Sequence, residues 1–490
     1  MPDTPREDIM PDTTYPEIRL HVAGDWFGTE TAETQVPVVN PATGSEIGRV
    51  PVATEAMLDA ACAASLKGFA VWRATSTMER AAILRRAAAL LRERADEIGR
   101  SLTLEQGRPL ADTRMECLMS ADIIDWNAEE VRRTYGRVIP ARVPGVRNLV
   151  IKEPIGPVAA FTTWNVPVNH AARKLSAALA AGCSVVLKGP EEAPAATMGV
   201  VRCFLDAGLP ADALSLVFGN PPQISGHLIP NPAIRMITFT GSTAIGKLLA
   251  GMAGAQMKKV VMELGGHAPA IVMADADLGK AVEILSMTKF RNAGQICISP
   301  SRFLIETPVF DRFTDAFVEK AEALVVGDGL DPASQVGPLS THRRIEEIER
   351  LVQDAVDRGA KLRTGGKRLG NSGYFYAPTV LTDVPRDAAI MNEEPFGPVA
   401  IVNRIHSVDE AIAEANRLDY GLAAYAYTGS NATAEKIASG VESGMVSINH
   451  HGLALPELPF GGVKDSGYGS EGGQEAAAEY MVSKFVSHAP

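Results

Sequence analysis

From Val158 onward the chain alternates short apolar runs with helical stretches, and few folds accept that rhythm. The runs fall at residues 158–161, 184–187, 214–217, 236–239 and 259–262, separated by helical segments at 168–181, 197–207, 224–228 and 242–252. Runs without polar alternation bury both faces, which calls for a parallel sheet with helices on each side. Ligands of such sheets bind beyond the carboxyl ends of the strands. Those ends carry residues 162–167, 188–194, 219–223, 241–246 and 263–266. The polar motifs of this half of the chain all lie there.

A second alternation runs from residues 268–273 to about Asn449, with helices expected at 278–290, 309–325, 342–358 and 408–418. It is long enough to bury a core of its own. Upstream, short strands are expected at 21–27 and 35–40. A long helix follows from about Met78, opened by the Ser76/Glu79 capping box and striped by Leu84, Ala88, Leu91, Ala95, Ile98 and Leu102. Residues 135–154 are proline-punctuated and alternate apolar with polar, which reads as extended arms. An uncovered strand edge invites pairing with another chain. The expected fold is α/β: a Rossmann-like parallel-sheet cofactor domain (18–133 and 154–263) and a second α/β catalytic domain (264–452). A small extended oligomerisation arm is expected at 134–153 and 470–490, and an active-site loop at 453–469 returns to the cofactor domain.

Charge and cysteine content narrow the function. A net charge of −11 argues against nucleic acid or an anionic membrane as partner. The five cysteines, Cys62, Cys117, Cys183, Cys203 and Cys297, are scattered without a CxxC pair, which speaks against a disulfide framework or structural zinc. The pair His450–His451 has no further ligands at metal spacing, so no metal is expected. No apolar run approaches the roughly 20 residues that span a bilayer. The polar, Pro-rich residues 1–17 read as a disordered tail and not a signal peptide, so a cytoplasmic protein is expected.

Several strand ends could carry chemistry. Gly241-Ser242-Thr243-Ala244-Ile245-Gly246 follows a strand and opens a helix, where free N–H groups can hold a diphosphate; a tight turn with Ser242 as N-cap explains it as well. Lys188 and Glu191 could hold an adenosine ribose, with Glu191 repelling a 2′-phosphate and so favouring NAD over NADP; alternatively they form a solvated charge pair. Glu263, in M-E-L-G-G, sits in an apolar run where burial would raise its pKa towards that of a general base, or where it meets an Arg from elsewhere. Asn165, after Trp164, offers an amide to an oxyanion or an ordinary helix cap. Cys297, in F-R-N-A-G-Q-I-C, is a lone thiol among small residues, either a nucleophile or a small buried hydrophobe.

Taken together and in order, these motifs resemble the aldehyde dehydrogenase superfamily over residues 18–485. The most specific are M-E-L-G-G at Glu263, G-Q-I-C at Cys297, E-E-P-F-G-P at 393–398 and P-F-G-G-V-K at 459–464. The resemblance implies NAD, or NADP, as cofactor and oxidation of an aldehyde to an acid through a cysteine thioester. It implies Cys297 as nucleophile, Asn165 and the Cys297 N–H as oxyanion hole, Glu263 as the base that activates water, and Lys174 as an active-site lysine. Trp164, Lys188, Glu191, Gly241, Ser242 and Gly246 match cofactor positions, Glu394 the holder of the nicotinamide ribose and Phe396 a ring beside the nicotinamide. Phe460 matches a substrate position, and a homodimer or homotetramer is implied.

Arg173 and Arg291 resemble the two arginines with which the succinate-semialdehyde dehydrogenase branch holds a distal carboxylate; pairing with protein carboxylates is the alternative. The chain departs from that branch at Thr163, at Val166, where an aromatic is usual, and at 451–456, where a serine is replaced by a more apolar loop headed by His451. A broader range of aliphatic or aromatic aldehydes is the alternative substrate class. A retained base favours water over coenzyme A as acyl acceptor. The intact Cys297, Glu263 and Asn165 argue against a silent protein that keeps only the fold.

Overall fold

The computed structural model describes residues 15–490. Two large sheets organise the chain. The first has eight strands in the order Asp25–Phe27, Leu20–Val22, Leu214–Val217, Val185–Lys188, Val158–Phe161, Met236–Thr240, Lys259–Glu263 and Gly467–Tyr468. Its five central strands are parallel, and its outer pairings are antiparallel. Strand order reverses between Val158–Phe161 and Met236–Thr240, so a crevice opens at their carboxyl ends. Asn165 follows one of these strands and Gly241 the other.

The second sheet has seven strands, Lys361–Thr364, Thr379–Thr382, Val399–Ile405, Arg302–Glu306, Pro269–Val272, Ala423–Tyr427 and Met445–Ile448, parallel except at the first pairing. Each sheet is packed on its own large cluster of buried apolar side chains. The five expected central strands of the first sheet appear within one residue of their expected limits.

Three expectations are corrected. The helix read as continuous from Met78 to Leu102 is two helices, Thr77–Glu93 and Ala95–Gln106, broken at Arg94 with ψ near 10°. The apolar stripe runs through because both segments pack on the same core. Two further helices, Glu55–Ala74 and Leu110–Glu130, flank this pair. Of the tail expected over 1–17, residues 1–14 lie outside the described residues, and Tyr15 is anchored by donating its hydroxyl to the buried Glu105.

The region at 135–154 is paired within the chain. Met481–His488, Arg147–Pro154 and Arg137–Ile139 form an antiparallel three-stranded sheet. Val138 and Phe485 of this sheet, and Val143 in the loop before Arg147–Pro154, are more than half exposed. No helix among the described residues is long and apolar enough to cross a membrane.

Candidate active site

The Leu278–Phe290 helix stops at Phe290, and the backbone then takes three successive left-handed residues, Asn292 (φ 52°), Ala293 (φ 50°) and Gly294 (φ 71°). For non-glycine residues that conformation costs about 1–3 kcal/mol each, so surrounding bonds must hold it. Asn292 Nδ2 donates to Asn165 O (3.0 Å) and Gln295 O (3.2 Å), and Gln295 Nε2 donates back to Asn292 O (3.1 Å). Gln295 Oε1 accepts from Ser340 N (3.0 Å). Gly294 admits no side chain, since a Cβ would stand 2.1 Å from Gly397 O. This braced turn delivers Cys297 to the wall of a cavity of about 640 Å³, with part of its surface still open.

Burial in that enclosed space, with the Glu263 and Glu394 carboxylates in its field, pushes the Cys297 thiol up. A thiol so placed would need a base to take its proton before it could act as a nucleophile. Asn165, buried, spends one Nδ2 hydrogen on Gln295 O (3.2 Å). An amide nitrogen carries two hydrogens, so a second remains for a developing oxyanion.

Glu263 ends its strand in the same cavity, 2% exposed, and its Oε1 is buried without a hydrogen-bond partner among the described residues. Burial raises its pKa well above the carboxylate range, and the neighbouring Glu471 carboxylate raises it further, against Lys174 and Arg173. Glu471 also lines the cavity and had no role in the sequence reading. Its carboxylate pairs with Lys174 Nζ, which also donates to Thr238 Oγ1 (3.1 Å). Lys174 is fully buried and stands behind the cavity wall, where it holds Glu471. A charged residue in the small-residue run G-S-E-G-G was the one signal that could have flagged Glu471.

The two arginines part ways. Arg173 is expected to grip substrate, but its guanidinium donates to Asn169 Oδ1 (2.9 Å), Glu471 O (2.9 Å) and Ala454 O (3.1 Å), over the face of Phe460 (4.7 Å). That commitment to the protein makes it part of the cavity wall, because the loop around Ala454 and Glu471 folds back onto it. Arg291 lines the cavity too, and its Nε is buried with no hydrogen-bond partner among the described residues.

On the other side of the crevice, Ser242 occupies the N-cap of the Thr243–Ala255 helix in extended conformation, yet its side chain makes no capping bond. The first-turn N–H groups are thus free to meet an anion. Gly246 lets this helix close on the next strand's end, because a Cβ there would lie 2.2 Å from Leu264. Lys188 and Glu191 form an ion pair (2.6 Å), with Glu191 Oε1 accepting from Gly219 N (2.8 Å). Glu394 accepts from Gly266 N (3.1 Å), and burial raises its pKa to about 7. Phe396 meets Trp164 edge to face at 5.7 Å. An uncapped helix end, fixed carboxylates and flat rings fit a dinucleotide. Among the described residues no group of three or more His, Cys, Asp or Glu could hold a metal ion.

A thiol and an unpartnered carboxylate on one cavity, at the switch point of a dinucleotide-type sheet, are the parts a cofactor-dependent oxidoreductase with a covalent step would need. The model of the aldehyde dehydrogenase family matches residues 26–486. The chain belongs to that family and is an NAD(P)-dependent aldehyde dehydrogenase. It is 45% identical to a 4-(hydroxymethyl)benzenesulfonate dehydrogenase of Comamonas testosteroni, over 96% of this chain and 98% of that protein. It is 40% identical to a glutarate-semialdehyde dehydrogenase of Pseudomonas putida, over 96% and 97%. The crystal structure of succinate-semialdehyde dehydrogenase from Burkholderia pseudomallei superposes with a TM-score of 0.95 at 39% identity, covering 98% of this chain and 100% of that one.

Proposed function

We propose that this enzyme oxidises an aldehyde bearing a distal anion, of the succinic semialdehyde kind, to the corresponding acid. The observation that carries the reading is Arg291: a cation with a buried, unpartnered Nε on the same cavity as Cys297 and Glu263. The relatives' named substrates, a semialdehyde carboxylate and an aryl sulfonate, share the anion such a cation would hold.

The Cys297 thiol, partly open to solvent, passes its proton to water and bonds to the aldehyde carbon as a thiolate, and the Asn165 amide with the Cys297 N–H stabilises the oxygen's charge. When bound, the dinucleotide supplies the acceptor for the hydride lost from that carbon. The product on Cys297 is a thioester. Glu263, whose raised pKa makes its ionised form a stronger base, takes a proton from water, whose oxygen attacks the thioester carbon and releases acid and thiol. Glu471 and Lys174 set the charge that Glu263 feels. Glu191 favours NAD over NADP, since its carboxylate would face a 2′-phosphate. Exposed apolar side chains on the three-stranded sheet, Val138 and Phe485 among them, support assembly into a dimer or tetramer.

The test compares succinic semialdehyde with butanal, using NAD and NADP, in wild type and Arg291→Ala. The variant should raise KM for succinic semialdehyde selectively. Equal turnover of the charged and neutral aldehydes by wild type would sink the reading.

A further inference from the structure

The cavity beside Cys297 is larger than a four-carbon semialdehyde needs. Its volume of about 640 Å³ falls among sites that enclose drug-sized molecules, roughly 300–1,000 Å³. Its walls are suited to a flat ring. Met115 and Met119, one turn apart on the Leu110–Glu130 helix, line it with Met287, Leu453 and Phe460. Thioethers adapt their shape and make favourable contacts with aromatic rings. Val166 also lines the cavity, with a smaller side chain than an aromatic would bring.

The polar groups at this cavity include a feature that the reaction does not use. His451 lines the cavity in the electrostatic neighbourhood of Arg291, with its Nδ1 buried and without a hydrogen-bond partner among the described residues. The imidazole lies against the Tyr425 ring, centroids 5.0 Å apart and planes inclined by 30°. Tyr425 in turn donates to Ile298 O (2.7 Å), one residue beyond the nucleophile. Ser447 Oγ donates to His450 O (2.7 Å), which fixes the loop just before the ring. His451 is thus braced on the wall that carries Cys297, and is not a loose loop side chain. Burial first, then Arg291 and His450, lower its pKa to about 4, so near neutral pH the ring is uncharged. A neutral imidazole still carries one N–H and adds a directional donor to the charge of Arg291.

We infer that the enzyme also takes aryl aldehydes carrying a ring-borne anion, carboxylate or sulfonate, away from the formyl group, with His451 joining Arg291 to seat that anion. The inference rests on Arg291 as the anion site and adds the ring and the second donor. The methionine-lined walls hold the ring, and the formyl carbon is presented to Cys297. The chemistry is that of the parent reaction, with NAD(P) as oxidant, water as acyl acceptor and a ring-borne carboxylic acid as product.

The test uses the full-length enzyme with saturating NAD and measures kcat/KM for 4-formylbenzoate, 4-formylbenzenesulfonate, benzaldehyde, succinic semialdehyde and butanal. At least one ring anion should exceed benzaldehyde about tenfold or more, as expected for a charge-assisted hydrogen-bonded pair. His451→Phe keeps a ring against Tyr425 but removes both nitrogens, and should lower the anionic-to-neutral aryl ratio about fivefold, mainly through KM. Both terms of that ratio come from one preparation, so partial loss of folded enzyme cancels; if the Phe variant does not fold, His451→Leu is read in the same way. A response to carboxylate alone or sulfonate alone supports the inference and identifies the anion. If neither ring anion exceeds benzaldehyde while succinic semialdehyde still exceeds butanal, the inference is overturned and the proposed function stands. If succinic semialdehyde does not exceed butanal either, the Arg291 reading beneath it fails. An unchanged ratio in the His451 variant removes His451 from the seat.

Discussion

Replacing Lys174 with Met should damage both stability and the water-activating step, and the structure sets the size of the first effect. Lys174 and Glu471 are 0% and 3% exposed at their side chains, so neither is relieved by solvent. An exposed pair would contribute about 0–1 kcal/mol. Removing one partner of a buried pair strands the other charge and costs about 3–5 kcal/mol, the loss expected for Lys174→Met in urea unfolding. The second effect has a sign. Burial and then Glu471 raise the pKa of Glu263, and Lys174 lowers it. Deacylation needs the ionised base, so its rate rises as pH passes upward through that pKa. Lys174→Met therefore moves the inflection of the deacylation profile to higher pH, and Glu471→Gln moves it to lower pH. The assay forms the acyl-enzyme at several pH values and follows its decay. A stability loss under about 1 kcal/mol, or inflections moving in the same direction, would refute this account of the charge network.

Cys297→Ala should abolish aldehyde-dependent NADH formation while retaining NAD affinity, measured by quenching of intrinsic fluorescence. Arg291→Ala should raise KM for succinic semialdehyde by about tenfold or more, the worth of a charge-assisted hydrogen bond, with little change for butanal. Glu191→Ala should narrow the preference for NAD over NADP, read as the ratio of the two kcat/KM values. Phe485→Glu replaces an exposed apolar side chain of the three-stranded sheet with a charge and should lower the assembly's mass in light scattering.

The parallel strands were legible because a strand buried on both faces leaves a continuous apolar run. The break at Arg94 was not, since a bend leaves the spacing of a stripe unchanged on either side. The Leu110–Glu130 helix is not legible in the sequence because buried Thr113, Glu116 and Asn127 interrupt its apolar pattern. Within the site, Cys297 and Glu263 stood out by their local sequence. Glu471 did not, because its meaning comes from Lys174, 297 residues earlier. Arg173 announced a cation but not its partners, which the fold supplies from Asn169, Ala454 and Glu471. In the sequence His451 stands out as half of a histidine pair without further metal ligands and as a departure in a loop; its bracing against Tyr425 is a tertiary fact.

The division of labour between Cys297 and Glu263 is the centre of the account, and mass spectrometry of Glu263→Gln during turnover tests it most directly. With NAD and succinic semialdehyde, this variant should release one burst of NADH and then stall. The stalled protein should carry an acyl adduct, mapped to the Cys297 peptide and discharged by hydroxylamine. Steady turnover at the wild-type rate with no adduct, or an adduct on another residue, would contradict it.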